Sequence, residues 1–375
     1  MIIGIPKETK AQENRVSMIP ASVRELVKRG HRVVIEQGAG VGSSYSDEPF
    51  IAAGAEMVPD AEAVFGAAEL IVKVKEPQPS ELALLTPRHI LFTYLHLAAD
   101  KKLTEGLLAT GCTAIAYETV DVNGHLPLLE PMSEIAGRMS AIVGSYHLAK
   151  HTGGRGILLG GVPGVAPGRV VILGGGTAGV NAARVATGIG ADVTILEVDF
   201  ERMRFLDITM EGPHTVFSNE TNLAELLPRV DLVIGAVLVP GAAAPKLISR
   251  EMLRMMQPGS VFVDIAVDQG GCAETTRATT HHDPTYVEEG VIHYCVSNMP
   301  GAYARTATQA LNNVTQRWTM LIADNGVTGA CGIRKELYGG VNCANGSLTC
   351  QPVAEAHGMA FVPPEDALAK HQRAD

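Results

Sequence analysis

The sequence predicts an α/β protein made of two parallel-sheet domains, and three observations lead there. The chain has 375 residues, enough for roughly two domains of about 100–200 residues each. Short β-branched runs alternate along it with helix-like segments. Those runs fall into two series, with a Gly/Pro-rich stretch between them. Strands joined by helices form βαβ units, which bury both sheet faces and so read as continuous apolar runs. With 46% hydrophobic residues and a mean hydropathy of +0.15, the chain has ample material for two cores.

In chain order, the first series is "MIIGIP", "RVVIEQ", "LIVKVK", "ILFTYL" and "TAIAYE". The segment "PMSEIAGRMSAIVGSYHLAKH" follows with helical apolar spacing, and "GGRGILLGGVPGVAPG", Gly153 to Gly168, is a loop by its glycines and prolines. The second series is "RVVILG", "DVTILEV", "DLVIGAVL", "SVFVDIA" and "VIHYCVSN". Near the end, "ATQALNNVTQRWTMLIADN" has the spacing of a long helix, although periodicity does not assign it to either domain. No fixed-period repeat is evident beyond the coarse duplication of the two α/β halves.

Composition excludes several function classes. A formal charge of −10 without Lys/Arg blocks argues against a nucleic-acid surface, whose phosphates require a basic patch. Cys112, Cys272, Cys295, Cys331, Cys343 and Cys350 show no C-x-x-C or paired metal spacing, so they read as free thiols of a reducing cytoplasm. "MIIGIPKETK" is charged by its seventh residue and lacks a signal-peptide pattern. The uncharged run Leu232 to Pro245 is too short to span a bilayer and contains Pro240, so no membrane role is expected. Small-molecule chemistry in the cytoplasm is the remaining class.

The strongest motif is "RVVILGGGTAGVNAARVATGIGADVTILEVD". Read as strand, glycine loop, helix and second strand, it is G-x-G-x-x-G in the context that makes the pattern informative. Gly174 permits the tight turn, Gly176 lets backbone approach a pyrophosphate, and Gly179 allows close helix packing. A dinucleotide site follows. Glu197 ends the second strand and Asp199 lies two residues on. A carboxylate there suits adenosine ribose hydroxyls and repels a 2′-phosphate, which favours NAD over NADP. Arg202 is the one nearby feature an NADP site would use.

Ligands of parallel sheets collect at the carboxyl ends of strands, and four polar residues fall there. Arg15, after the first strand, can clamp a carboxylate with two hydrogen bonds. Lys75 ends "LIVKVK" just before Glu76-Pro77. His96 ends "ILFTYLH", and histidine is the side chain suited to proton transfer near neutral pH. Asp268 ends "SVFVDIAVD" before a Gln-Gly-Gly turn. Singly, these residues read as a surface charge, a snorkelling lysine, a packing histidine beside Tyr94 and a loop acid; their joint placement favours a substrate pocket. Lys73 lies a pleat before Lys75 and is given no catalytic role.

These residues sit in blocks that together resemble the NAD-dependent alanine dehydrogenase family, within the superfamily that also holds the transhydrogenase alpha-subunit. The blocks are "IGIPKETKAQENRVSMIP", "VKVKEP", "LFTYLHLAAD", "PMSEIAGRMS", "GGVPGVAPGRVVILGGGTAGVNAAR", "DLVIGAVLVPGAAAPKLI", "VDIAVDQGGCAETTRATTH" and "YCVSNMPGAYARTAT", in order through almost the whole chain. The resemblance implies oxidative deamination of L-alanine to pyruvate and ammonium with NAD, and the reverse amination. It implies that Arg15 and Lys75 hold substrate and that His96 and Asp268 are the acid/base pair. For the cofactor it implies Ser133, Gly174, Gly176, Thr177, Ala178, Gly179, Glu197, Arg202 and Ser218 around the adenosine and pyrophosphate. Val237, Leu238, Ile265, Ala266, Val267, Asp268, Val296, Ser297, Asn298 and Met299 are implied nearer the nicotinamide.

The resemblance also implies two Rossmann-like, doubly wound parallel-sheet domains with a cleft between them. Residues 1–127 plus 306–375 would form a discontinuous substrate domain and 128–305 the NAD-binding domain. A cytoplasmic homo-oligomer, a hexamer, is the implied assembly. This chain departs from the pattern at Glu197, where members commonly have Asp, and at Leu321 and Asn325, where some carry a Glu and His suited to magnesium; no metal is expected. The competing readings are the nucleotide-binding subunit of a proton-translocating transhydrogenase and a non-catalytic NAD-binding protein.

Overall fold

The computed structural model describes residues 1–237 and 244–369. The chain divides into two compact units, one formed by Met1–Pro131 together with the chain from Tyr303 onward, the other by Met132–Ala302. Among the described residues the strands are β1 (Ile2–Ile5), β2 (Arg32–Glu36), β3 (Glu56–Val58), β4 (Leu70–Val72), β5 (Ile90–Thr93) and β6 (Thr113–Ala116). The second unit contributes β7 (Arg169–Leu173), β8 (Asp192–Glu197), β9 (His214–Phe217), β10 (Leu232–Gly235), β11 (Val261–Asp264), β12 (Thr285–Glu288) and β13 (Val291–Tyr294). The chain then returns to the first unit with β14 (Val341–Ala344) and β15 (Ser347–Leu348).

Every apolar run of the two series forms a strand. The strands that pattern reading passed over, β3, β9, β12, β14 and β15, lie at or beside sheet edges. An edge strand pairs on one side only and is covered less, so "EMV", "HTVF" and "TYVE" carry no continuous apolar run. Two bounds are shorter than the sequence suggests. β4 stops at Val72 and β5 at Thr93, so Lys75 and His96 each lie three residues past a strand.

The first sheet runs β15-β14-β6-β5-β4-β1-β2-β3 and the second β12-β13-β11-β10-β7-β8-β9. In each, the first strand has its next two neighbours on one side and the following strands on the other, all parallel. The order reverses between β1 and β4, and again between β7 and β10. Such reversals open a crevice at the carboxyl ends of the strands. The added β12 and β14 run antiparallel at their edges.

Period-two alternation divides the second unit's core between the two sheet faces. Val170 and Ile172 of β7 pack with Leu159, Ala183 and Val263, while Val171 and Leu173 pack with Leu196, Leu227 and Phe262. Both faces are therefore buried, as a parallel sheet requires.

In the first unit the helix Ala304–Ile333 fastens the segment that follows β1. Thr308 Oγ1 accepts from Val16 N at 3.1 Å, Asn312 Oδ1 accepts from Ile19 N at 3.1 Å, and Ser22 Oγ donates to Gln316 Oε1 at 2.8 Å. Trp318 on the same helix is buried. The helix is interrupted at Gly326, whose φ of +66° is one that L side chains rarely adopt. Arg15 is thus placed by a helix almost three hundred residues later in the chain.

One close approach organises the second unit. In the helix Glu130–His147, a Cβ on Gly137 would stand 2.1 Å from Ala178 O, so only glycine lets that helix meet the start of the helix Thr177–Gly188. Gly137→Ala should lower stability by about 1–3 kcal/mol through overpacking. A reduced thermal or chemical midpoint of the purified protein checks this.

Candidate active site

The first unit gathers charge at the reversal between β1 and β4. Lys73, just past β4, is fully buried, and its Nζ pairs with Glu8 Oε2 at 3.1 Å and Glu81 Oε1 at 2.6 Å. Burial pulls the Lys73 ammonium down, and the two carboxylates more than reverse that, so its pKa is raised and the charge is kept. Glu8 is pushed up by burial despite Lys73. Glu8 Oε1 also accepts from Val74 N at 2.6 Å, and Glu81 Oε2 closes a capping box by accepting from Gln78 N at 2.8 Å. Lys73 is therefore a structural cation with built-in counter-ions.

Lys75 is buried in the bend that this clamp holds, and its carbonyl accepts from Thr93 Oγ1 at 2.9 Å. Arg15 is buried too. Its Nε and Nη2 grip Glu13 in a fork at 2.7 and 2.6 Å, and its own N–H donates to Glu13 at 2.9 Å. Burial lowers the guanidinium's pKa while Glu13 more than restores it, so Arg15 stays charged and fixed in orientation.

His96 follows β5 with a left-handed backbone, φ 51° and ψ 36°, and its imidazole is 37% exposed. The ring stacks on Tyr94, centroids 5.9 Å apart and planes 13° apart. Tyr94 is buried with its hydroxyl donating to Leu128 O, and burial raises its pKa far enough to keep the phenol neutral. β1, β4 and β5 are adjacent, and Arg15, Lys75 and His96 lie in the segments that follow them. Their supporting acids Glu8, Glu13, Glu81 and Glu118 were not singled out from sequence. For Glu8 and Glu13 there was a signal: both stand in "PKETKAQENRV", within reach of the lysines and Arg15.

In the second unit the glycine loop follows β7. Gly174 has φ +94°, and a Cβ on Gly179 would fall 1.9 Å from Gly174 O. A Cβ on Gly176 meets nothing within 4 Å. Gly176 is the N-cap of the helix Thr177–Gly188, which has no side-chain cap, so its first N–H groups are available to an anion. Thr177 and Ala178 open that helix. These features fit a pyrophosphate.

At the end of β8, Glu197 Oε2 accepts from Gly175 N at 2.8 Å while Oε1 accepts from Val198 and Asp199 N–H at 2.7 and 3.1 Å. Arg202 Nε donates to Gly175 O at 2.6 Å. Glu197 and Arg202 thus hold the N–H and the C=O of one glycine, Gly175. Asp199, weighed beside Glu197 as a ribose acid, accepts from Glu201 and Arg202 N–H and caps the helix Phe200–Thr209. Ser218 N donates to Glu197 O at 2.9 Å, just past β9.

Ser133 is half-buried on the helix Glu130–His147, and Val237 is half-buried after β10. Leu238 lies outside the described residues. Ile265, Ala266, Val267 and Asp268 form the 3-10 turn Ile265–Gln269, which Asp264 caps. Asp264 is fully buried, accepts from Ala266 N, Cys272 N and Thr276 Oγ1, and is pushed up by burial. Asp268 itself is exposed, and its Oδ2 accepts from Asn298 N at 3.4 Å, which joins the segment Val296, Ser297, Asn298 and Met299 to the turn. Asn298 is left-handed at φ 60°, and its carbonyl faces the His281 ring at 3.1 Å. Leu321 and Asn325 lie on the helix Ala304–Ile333, where Asn325 Nδ2 donates to Leu321 O at 3.0 Å. No group of three His, Cys, Asp or Glu side chains among the described residues could hold a metal ion.

Comparison with known proteins now bears on this geometry. The models "Alanine dehydrogenase/PNT, N-terminal domain" and "Alanine dehydrogenase/PNT, C-terminal domain" match residues 4–136 and 140–351. The chain belongs to the alanine dehydrogenase/PNT family. An alanine dehydrogenase of Halomonas elongata is 54% identical over 364 residues, covering 96% of this chain and 98% of its own. A solved L-alanine dehydrogenase superposes with a TM-score of 0.90 at 48% identity, covering 96% of this chain and 99% of its own. A solved transhydrogenase from Sinorhizobium meliloti reaches a TM-score of 0.78 at 24% identity, covering 93% and 99%, and shares the fold alone. Membership implies an oxidoreductase that uses a nicotinamide dinucleotide and small-molecule substrates. No helix among the described residues is long and apolar enough to cross a membrane.

Because Lys73 neutralises two buried carboxylates, Lys73→Met should destabilise the protein by about 3–5 kcal/mol, the cost of stranding a buried charge. Denaturant unfolding with nucleotide binding followed in parallel tests it. A variant of unchanged stability would contradict the structural role.

Proposed function

We propose that this protein catalyses the oxidative deamination of L-alanine to pyruvate and ammonium with NAD as hydride acceptor, and the reverse reductive amination. The observation that carries the reading is the buried Arg15–Glu13 fork in the segment after β1, with Lys75 and His96 in the segments after the adjacent strands β4 and β5. A transhydrogenase subunit, which passes hydride between nucleotides, has no need of such an oxo-acid pocket.

Unit by unit, the division of labour follows. The first unit supplies the substrate groups. Arg15 fixes the substrate carboxylate through its preset guanidinium. Lys75 presents its ammonium to the pyruvate carbonyl oxygen, where negative charge develops as ammonia attacks in the amination direction. His96 moves the proton: it assists the attack of water on the imine formed from alanine, and in the reverse direction donates to the departing hydroxyl. Asp268, on the second unit, is the further acid/base group and orients ammonia.

The second unit holds the dinucleotide, with Gly174, Gly176 and Gly179 shaping the pyrophosphate loop and Ser133, Thr177, Ala178, Arg202 and Ser218 flanking it. Held there, NAD would supply the hydride acceptor for Cα–H. The Glu197 carboxylate disfavours a 2′-phosphate, which supports NAD over NADP. Val237 and the segments Ile265–Asp268 and Val296–Met299 line the nicotinamide side. A cytoplasmic homo-hexamer is part of the same proposal.

NADH oxidation with pyruvate plus ammonium should proceed, and it should weaken with glyoxylate, 2-oxobutyrate and bulkier oxo acids. Absence of ammonium-dependent turnover with all of them would end the dehydrogenase reading. His96→Ala should lower kcat by about 10²–10⁴-fold with NADH affinity near normal; loss of NADH binding instead would mark His96 as structural.

A further inference from the structure

We infer that Glu118 is a positioning residue for His96, fixing the left-handed turn that delivers the imidazole to substrate. The inference rests on the reading of His96 as the acid/base group. His96 has a non-glycine backbone at φ 51° and ψ 36°, a conformation that persists only where the surroundings hold it.

Glu118 supplies the hold. It stands in the 3-10 turn Tyr117–Thr119 directly after β6, the strand paired with β5 through Thr93↔Ala116. From there its Oε1 accepts from His96 N at 2.6 Å and from Leu95 N at 3.0 Å, with Oε2 at 3.3 Å from the latter. Two successive N–H groups converge on one carboxylate, and charge-assisted bonds of this kind are the strong ones. The same Oε1 lies 4.0 Å from His96 Nδ1, beyond hydrogen-bond range. Glu118 therefore sets the ring through the backbone, while the Tyr94 face limits its tilt.

The consequence is kinetic. A turn free to relax would move the imidazole, and misplacement by about 1 Å costs on the order of 10²-fold in rate. Substrate anchoring would persist, since Arg15 and Lys75 belong to other strand ends. Glu118→Ala should lower kcat by about tenfold or more, leave KM for pyruvate within about threefold and raise the solvent deuterium isotope effect as proton transfer becomes slower. Glu118→Gln keeps an acceptor oxygen at the same reach and should recover most of kcat.

Thermal midpoints and NADH affinity measured beside the kinetics should be close to those of the unsubstituted protein. A Glu118→Ala variant with undiminished kcat overturns the positioning role and leaves the function standing. So does one that loses kcat with an unchanged isotope effect and a collapsed midpoint. Failure of the unsubstituted protein to oxidise NADH with pyruvate and ammonium overturns the function and this inference together.

Discussion

Burial of Lys73 between Glu8 and Glu81 is the constraint on which the first unit's site depends. An ammonium removed from water costs several kcal/mol unless it is paired in good geometry, so the three side chains must keep their relative places. They come from the loop after β1, the end of β4 and the short helix Pro79–Leu82. Fixing them fixes the loop that leads to Arg15 and the bend that carries Lys75. A buried ion cluster contributes little net stability, and its effect here is to specify where the neighbouring charged groups stand.

The second unit meets a different demand with a different device. The proposed pyrophosphate would be met by backbone N–H groups, which asks for a loop thin and rigid at once. Glycine provides the thinness at Gly174, Gly176 and Gly179. Rigidity comes from Glu197 and Arg202, which hold the N–H and C=O of Gly175 from the strand end and the following helix. Glu197 reaches Gly175 N at 2.8 Å from the end of β8.

Both units use the strand order 3-2-1-4-5-6, whose reversal beside the first strand opens a crevice suited to ligands. What differs is the residue type at the strand ends. Glycines there leave room for a phosphate, whereas Arg15, Lys75 and His96 offer charge and a proton donor suited to the proposed oxo acid. The same architecture can therefore serve the proposed cofactor in one unit and the proposed substrate in the other.

Much of this was legible in the sequence. The ten inner apolar runs, the glycine loop with its flanking strands, and the strand-end positions of Arg15, Lys75, His96 and Asp268 are local patterns, because burial on both faces and tight turns impose residue types directly. The tertiary structure alone separated Lys73 from Lys75, since both are lysines after one strand and only the presence of Glu8 and Glu81 makes the first structural. It alone turned Asp199 into a helix cap, paired Arg15 with Glu13, and set Glu118 beneath His96. It also carried the helix Ala304–Ile333 back to the first unit. These are partnerships between residues distant in the chain or ambiguous in type, and their energies depend on distance and burial, quantities that arise only when the chain has folded.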